Sequence, residues 1–243
     1  MGTPDHIFLR SPAGVARRAP DIGGIAEALG AHGLVLFGGF VFASGEEAPA
    51  GPAGGPARSA LLVSQAGAEA WPHFLAWRDA QADVPPDPLD QWSRMVIGEI
   101  AGQFGASAVS PSDQPFLPFQ RWAMQAEGLR ASPLGILMHP LFGLWHAFRG
   151  ALLFDTELTV AEPPARVHPC DACVEKPCLK ACPVGAYTAA GFAHAACLAH
   201  VRGATGGACR DSGCVDRNAC PYAVQYRYPA DMQAFLMSAF AGR

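Results

Sequence analysis

Residues 170–183 read CDACVEKPCLKACP and carry four cysteines in the pattern C-x2-C-x4-C-x3-C-P. Three of them, Cys170, Cys173 and Cys178, fall within nine residues. A tight loop of this kind lets each sulfur reach a different iron atom of one cubane cluster. A cysteine directly before a proline, here Cys182, typically serves the other cluster of a two-cluster protein. The stretch therefore predicts iron–sulfur ligation and a small C-terminal fold built around it.

A second run of cysteines follows along the chain. Cys197 stands alone, and Cys209, Cys214 and Cys220 come after it at spacings of x4 and x5, the last directly before Pro221. The second run thus also ends in Cys-Pro, and the cysteine of this ending is expected to serve the cluster of the first run. All eight cysteines lie between residues 170 and 220, and two four-iron clusters require eight thiolates. None is missing and none is left over.

Zinc and disulfide bonds are the alternatives for so many cysteines. Two Cys₄ zinc sites would also use eight thiolates, but such sites are built from short pairs, and this chain has one C-x2-C pair. Residues 1–18 contain no apolar stretch after a basic start, so no secretory signal peptide is expected. A cytoplasmic chain keeps its thiols reduced, which disfavours a disulfide framework. The sequence therefore favours two [4Fe-4S] clusters in a cytoplasmic protein.

Composition and missing motifs exclude several other classes. Half of the 243 residues are hydrophobic and 16% are charged, which is enough for a sizeable core. The net charge of −4 gives no electrostatic footprint for nucleic acid. The longest apolar run, 34–44, is broken by Gly38 and Gly39 and is too short to span a bilayer. Motifs for dinucleotides, nucleotide phosphates, serine hydrolysis and zinc proteolysis are missing from the sequence.

Helices and strands interleave before the cysteines, which predicts an α/β or α+β domain. Helices are predicted at 22–29, 68–80, 88–104 and 119–127, and strands at 34–42, 61–64, 106–110, 135–139 and 144–154. Asp87 is the expected N-cap of the third helix, ahead of Pro88. Residues 1–20 are predicted to form an irregular arm. The composition changes at Glu162-Pro163-Pro164, which predicts two domains, 1–161 and 162–243.

The order of three segments is similar to that of a known family. PFLPFQRWAMQAEGL (115–129) is followed by SPLGILMHPLFGLWHAFRGALLFDTEL (132–158) and then by the cysteines. This order resembles epoxyqueuosine reductases and, with them, reductive dehalogenases. The resemblance implies an α+β fold with a mixed-sheet, nitroreductase-like, cobalamin-binding domain and a small bacterial dicluster ferredoxin-like domain. It also implies two ligand sets: a first cysteine set of Cys170, Cys173, Cys178 and Cys220, and a second cysteine set of Cys182, Cys197, Cys209 and Cys214.

The sequence departs from that family at several positions. The family's proton-donating aspartate falls at Ser112 here, and Asp113 follows one place later. The turn ASPLGIL has no lysine, and the second run of cysteines is looser than in the family. The chain ends at Arg243 without the helical repeats that help those reductases bind transfer RNA. Reduction of a modified tRNA base is therefore not expected, and no catalytic residue is assigned.

Two functions of different class follow from these observations. The first is an iron–sulfur electron-transfer protein that docks on a redox partner protein. The second is a reductase whose clusters feed electrons to cobalamin or a flavin in the N-terminal domain. The bulky residues Met138, Phe142, Trp145 and Phe148 are expected to fill the space in which such a cofactor would lie, which favours the first function.

Other polar and aromatic residues have both a functional and an ordinary structural interpretation. His139, His146 and His168 are candidate ligands, but a histidine beside aromatics is more often packed. Trp122, Trp145 and Phe119 are expected in the core rather than around a cofactor, and Asp113 in a turn rather than as an acid. Arg121 and Arg149 can pair with carboxylates or phosphates, although most arginines are solvated surface residues.

Overall fold

The computed structural model describes residues 20–160, 167–188 and 191–242. The first range contains α1 (Ile22–Gly30), β1 (Leu34–Val41), β2 (Ser59–Ala66), α2 (Ala70–Asp79), α3 (Pro88–Gln103), β3 (Ser107–Val109), α4 (Phe119–Glu127), β4 (Arg130–Ala131), β5 (Leu137–Met138) and β6 (His146–Phe154). The helices and strands predicted for this range are present with shifted ends. The predicted domain boundary near residue 162 and the arm before Pro20 lie outside the described residues.

The central sheet has four strands in the order β1-β2-β6-β3. All three strand pairs of this sheet are antiparallel, so the expected mixed sheet is wrong, whereas the α+β class is confirmed. The reason lies in the connections. Residues 42–58 join β1 to β2 without a helix, and a direct return of this kind gives an antiparallel pair, whereas a parallel pair needs a crossover.

A β-bulge interrupts the pairing of the two central strands. Val63 pairs with Gly150 and Ser64 pairs with Phe148, so Arg149 has no partner residue on β2. A bulge of this kind locally increases the twist and redirects the side chain of the extra residue. The side chain of Arg149 therefore takes a direction that regular pairing would not give it.

Two apolar cores cover the two faces of the sheet. Because side chains alternate along a strand, β2 directs Leu61 and Val63 to one face and Leu62 to the other. The first core contains the buried faces of α1, α2 and α3; among its members are Trp71, Phe74, Trp92 and Ile97. The second core is covered by α4 and is rich in aromatics, among them Phe37, Phe40, Phe119 and Trp122. The packed positions predicted for Trp122 and Phe119 are confirmed.

The starts of the first and third helices differ in how they are capped. The Asp21 carboxylate accepts a hydrogen bond from the Gly24 amide at 3.0 Å, as expected for an N-cap. Asp87 occupies the N-cap position of α3, but its side chain makes no capping bond because its backbone is left-handed, with φ of 48°. Its carbonyl oxygen instead accepts from the amides of Asp90 and Gln91. The predicted side-chain cap at Asp87 is therefore wrong.

The cysteine-bearing segment consists of short elements. They are α5 (Pro169–Ala172), β7 (Tyr187–Thr188), β8 (Gly191–Phe192), α6 (His194–Arg202), α7 (Gly207–Ser212), α8 (Val215–Asn218) and α9 (Ala230–Ala241), with single 3₁₀ turns at Pro177–Leu179, Ala204–Gly206 and Val224–Tyr226. No helix in the described ranges is long and apolar enough to cross a membrane.

The end of the chain packs into the first core. Met232 of α9 and the preceding Tyr228 are buried there beside the aromatics of α2. The indole nitrogen of Trp71 donates to the Asp231 carboxylate at 2.8 Å. The C-terminal helix thus ties the cysteine-bearing segment to the α+β part of the chain.

Candidate metal centre

The first cysteine set surrounds a single cavity. Its volume is about 240 Å³, and Cys170, Cys173, Cys178 and Cys220 all line it. Cys178 and Cys220 are buried, while Cys170 and Cys173 are partly exposed. The remaining wall is mostly apolar and includes Met138, Leu144, Pro169, Ala172, Pro221 and Tyr222. Cys220 therefore shares one mostly apolar pocket with three cysteines that precede it by 42 residues or more.

His168 and Lys176 fix the loop that carries three of these cysteines. The His168 ring accepts a hydrogen bond from the Cys170 amide through Nδ1 (3.3 Å) and contacts the Arg130 carbonyl through Nε2 (3.1 Å). Both ring nitrogens are engaged, so His168 is a structural residue. The Lys176 ammonium donates to the carbonyl oxygens of Cys170 (2.8 Å) and Cys173 (3.1 Å). The loop is thereby closed around a positive charge.

The electrostatics of this pocket oppose four unbound thiolates. Burial raises the pKa of the Cys178 thiol, and neighbouring Cys220 and Cys173 raise it further. Burial likewise raises the pKa of Cys170, again with a contribution from Cys220. A cationic group with thiophilic atoms would offset this cost, since thiolates are the ligands of iron–sulfur clusters.

The second cysteine set is also brought together. Burial raises the pKa of Cys197 to about 11, with further contributions from Cys214, Cys182 and Cys209. Cys209 is buried and packs with Cys197 in a small apolar core that includes Val201 and Ala241. The Ala186 amide donates a hydrogen bond to the Cys182 sulfur at 3.4 Å. Cys182 lies close enough to Cys197 and Cys209 for its charge to raise their pKa values, in addition to the effect of burial.

A site for a single metal ion differs from a cluster site that four cysteines hold. Within the described ranges, no group of three or more His, Cys, Asp and Glu side chains is arranged to hold one metal ion. What the described residues do show is a mostly apolar pocket lined by four thiols and a small apolar core that contains Cys197 and Cys209.

Asp216 is a buried carboxylate that sequence analysis missed. It is 1% exposed and lies on α8, two residues after Cys214. Burial raises its pKa, while the backbone amides of Cys182 and Ala181 act in the opposite direction. Its charge raises the pKa of Cys178 in the first set and of Cys197 in the second. A negative charge therefore acts on both cysteine sets, and only the packing of α8 reveals it.

Arg217 is a second residue that the sequence did not single out. Its guanidinium lies 4.6 Å from the centre of the Trp145 ring and 4.7 Å from that of Tyr228. It also donates to the Leu144 carbonyl. Stacked cations of this kind stabilise packing between segments. Arg217 therefore fixes the segment that leads to Cys220.

The other two candidate histidines are packed residues. His139 accepts hydrogen bonds from the amides of Leu141 and Phe142 through Nδ1, each at 3.1 Å. The Nε2 of His146 lies 3.0 Å from the Leu137 carbonyl. Burial lowers the pKa of His146 from 6.5 to about 4, so its ring is neutral and Nε2 donates this bond. The packed interpretation of both histidines is confirmed.

Asp113 is the turn residue that the sequence predicts. One carboxylate oxygen accepts from the Ser110 amide at 2.6 Å and the other from Arg94 Nε at 3.1 Å. Arg94 also donates to the Ser112 hydroxyl at 2.8 Å. Ser112 and Asp113 thus both lie in a turn beside α3.

The four bulky residues expected to fill a cofactor space have different surroundings. Phe142 and Phe148 pack against Phe37, with ring centres 5.7 and 5.9 Å away. Trp145 is fully buried in the first core, and Met138 packs against Cys178 and Cys220. A cavity of about 310 Å³ nevertheless opens beside Phe148; its lining includes Gln120, Leu134, Ile136, His146, Tyr187 and Phe192. Whether it binds a cofactor stays a prediction.

Comparison with known proteins gives a distant structural similarity. No protein-family model matches the chain, and no curated protein matches it. Among solved structures, the chain is similar to epoxyqueuosine reductase from Bacillus subtilis, with 14% sequence identity and a TM-score of 0.44. The match covers 69% of this chain and 49% of that one, so the chain spans about half the length of that structure.

Proposed function

We propose that the protein is an iron–sulfur electron-transfer protein in which each cysteine set holds one [4Fe-4S] cluster. The observation that carries this proposal is the cavity of about 240 Å³ lined by Cys170, Cys173, Cys178 and Cys220. Its mostly apolar wall and raised thiol pKa values suit four thiolates that are neutralised by bound iron. A single zinc ion would leave much of this space empty.

The chain's own residues then have distinct roles. When bound, the clusters supply one-electron chemistry. The first cysteine set anchors one cluster, and Lys176 closes its loop and places a positive charge at its edge. The second cysteine set anchors the other, next to the buried carboxylate of Asp216. Hydrogen bonds, burial and charge of this kind set the reduction potentials of such clusters.

The first experiment is a metal and sulfide analysis of protein purified without oxygen. We expect about eight irons and eight acid-labile sulfides per chain. Two zinc ions per chain in their place would contradict the proposal.

Cysteine variants then test how the ligands are divided. If the two sets are correct, Cys220→Ala and Cys173→Ala will remove the same EPR signal, and Cys182→Ala and Cys209→Ala will remove the other. A spectrum in which Cys182→Ala and Cys173→Ala perturb the same cluster would show that the ligands are not exchanged between the two runs of cysteines.

The second candidate function is a cobalamin- or flavin-dependent reductase, and the observation in its favour is the cavity that His146 and Tyr187 line. Tyr187 lies close enough to Cys214 and Cys197 for their charges to raise its pKa, although burial is the larger cause. A planar cofactor in this cavity would lie next to the second cysteine set, as a cobalamin- or flavin-dependent reductase requires. Because the surrounding aromatics are closely packed, we expect no spectral shift on titration with cobalamin or flavin. Micromolar binding that Phe148→Ala alters would favour the reductase.

A further inference from the structure

We propose that a cavity between α3, β3 and β6 binds a phosphate group. Its volume is about 180 Å³, and its polar lining is provided by Arg94, Arg149, Ser110 and Asp113. None of the cysteines lines it, so the proposal does not rest on the iron–sulfur clusters. Two guanidinium groups that face one cavity are a typical arrangement for an oxyanion.

Arg149 is placed in this cavity by the backbone of β6. It is the residue that the β-bulge leaves without a partner on β2, and bulges often direct a side chain toward a functional site. The next residue is Gly150, where a Cβ would lie 2.8 Å from Ile97 Cδ1 and 3.0 Å from the Val109 carbonyl oxygen. Because glycine has no Cβ, α3 and β3 can approach β6 at this point and close the cavity around the arginine.

The hydrogen bonding of Arg149 is incomplete. Its side chain is 14% exposed, and its one ion pair in the described ranges, from Nη1 to the Asp90 carboxylate, is 3.4 Å long. Its Nε–H is buried and has no hydrogen-bond partner among the described residues. A buried donor that is left without an acceptor destabilises the fold, and the cost is larger when the donor is charged. An acceptor that enters the cavity would remove this cost.

Arg94 provides a second cation in a fixed position. Its Nε donates to the Asp113 carboxylate at 3.1 Å, and its Nη2 donates to the Ser112 hydroxyl at 2.8 Å. The other oxygen of Asp113 accepts from the Ser110 amide, so the carboxylate is already engaged by donors. Its negative charge is thereby balanced by Arg94 and opposes an anion less than a free carboxylate would.

The donor set favours phosphate over carboxylate. The buried Ser110 hydroxyl lies 3.0 Å from that of Ser112, and Ser110 lines the cavity together with the two arginines. Guanidinium and hydroxyl donors in several directions exceed what the two oxygens of a planar carboxylate accept from one side. A tetrahedral phosphate presents three or more acceptor oxygens. A metal cation would instead be repelled by the two positively charged arginine side chains.

The test is a calorimetric titration of the cluster-containing protein with inorganic phosphate in a phosphate-free buffer. We expect saturable binding with a Kd below about 1 mM. Arg149→Met should weaken it about tenfold or more, because a hydrogen bond to a charged group contributes roughly that factor. Arg121→Met removes an exposed arginine on α4 outside the cavity; it is the control and should bind as the wild type does.

Arg94→Met is a second variant at the partly exposed rim, and it keeps the proposal testable if Arg149→Met does not fold. It should also weaken phosphate binding. Three results would overturn the proposal: no saturable binding of phosphate, equal binding by both arginine variants and the wild type, or an equal response to chloride. Tighter binding of acetate than of phosphate would also overturn it, in favour of a carboxylate site.

Discussion

His146 makes the stability of the protein depend on pH in a way that can be measured. Its ring is 5% exposed and lies among Phe37, Phe148 and His139, with ring centres 5.6, 5.6 and 5.7 Å away. Burial lowers its pKa to about 4; nearby Arg217 acts in the same direction, and the bond to Leu137 opposes both. In the unfolded chain the same ring titrates near its ordinary value of 6.5.

The sign and size of the effect follow from these two values. Between pH 6.5 and about 4 the unfolded chain binds a proton at His146 and the folded chain does not. The contribution of His146 is therefore fully present above pH 6.5 and is lost as the pH falls through this window. The loss between pH 7 and pH 5 is about 2 kcal/mol, and it approaches about 3 kcal/mol below pH 4.

The assay compares urea unfolding at pH 7 and pH 5, without oxygen, in the wild type and His146→Gln. Glutamine can still donate to the Leu137 carbonyl but does not titrate, so the variant should lose about 2 kcal/mol less than the wild type. Because both proteins carry the same cysteines, acid lability of any bound cluster cancels in the comparison. His73→Gln, an exposed histidine on α2, is the control and should follow the wild type. If His146→Gln and the wild type lose equal stability, the buried neutral ring is not the cause.

Two further predictions concern the candidate metal centre and the core. Lys176→Met should lower the reduction potential of the cluster at the first cysteine set in a redox-titrated EPR experiment, because a nearby cation stabilises the reduced cluster. Lys180→Met is the control, since that exposed ammonium is 3.5 Å from Glu175, and equal shifts in both variants would contradict the assignment. Trp92→Ala should destabilise the fold by about 3–5 kcal/mol because the indole is buried in the first core. The exposed Met95→Ala on the same helix should have little effect on the urea midpoint, and similar losses in both would argue against this packing.

Local patterns predicted the elements of the fold better than their pairing. The apolar spacing of α3, from Leu89 to Ile100, follows from helical geometry alone and is buried as expected. The direction of the strands depends on how the connections run through space, and the expected mixed sheet was therefore wrong. The predicted side-chain cap at Asp87 failed because the backbone of this residue is left-handed, a conformation that its residue type does not reveal.

The candidate site shows the same division between local and distant information. The cysteine spacing indicates which sulfurs lie on one loop, and it is readable without a structure. The environment of those sulfurs is not readable in this way, because Asp216 is buried by tertiary packing and Arg217 lies over Trp145, which is far away in sequence. The bulge that directs Arg149 inward also escapes prediction, since it depends on the register between β2 and β6. An arginine in a strand otherwise has the pattern of a surface residue.

If the first cysteine set binds a cluster as proposed, the position of Cys220 links metal binding to tertiary folding. Its three partners lie on one local loop, but Cys220 reaches them only when the segment around Arg217 packs on Trp145 and Tyr228. A cluster that uses all four thiolates therefore stabilises that packing by its own binding energy, because the unfolded chain does not present the set together. Tyr228 and Met232 of α9 are buried in the first core, so the segment after Cys220 is anchored to the α+β part of the chain. The first cysteine set is thus a product of the whole fold, whereas its sequence motif supplies only three of the four sulfurs.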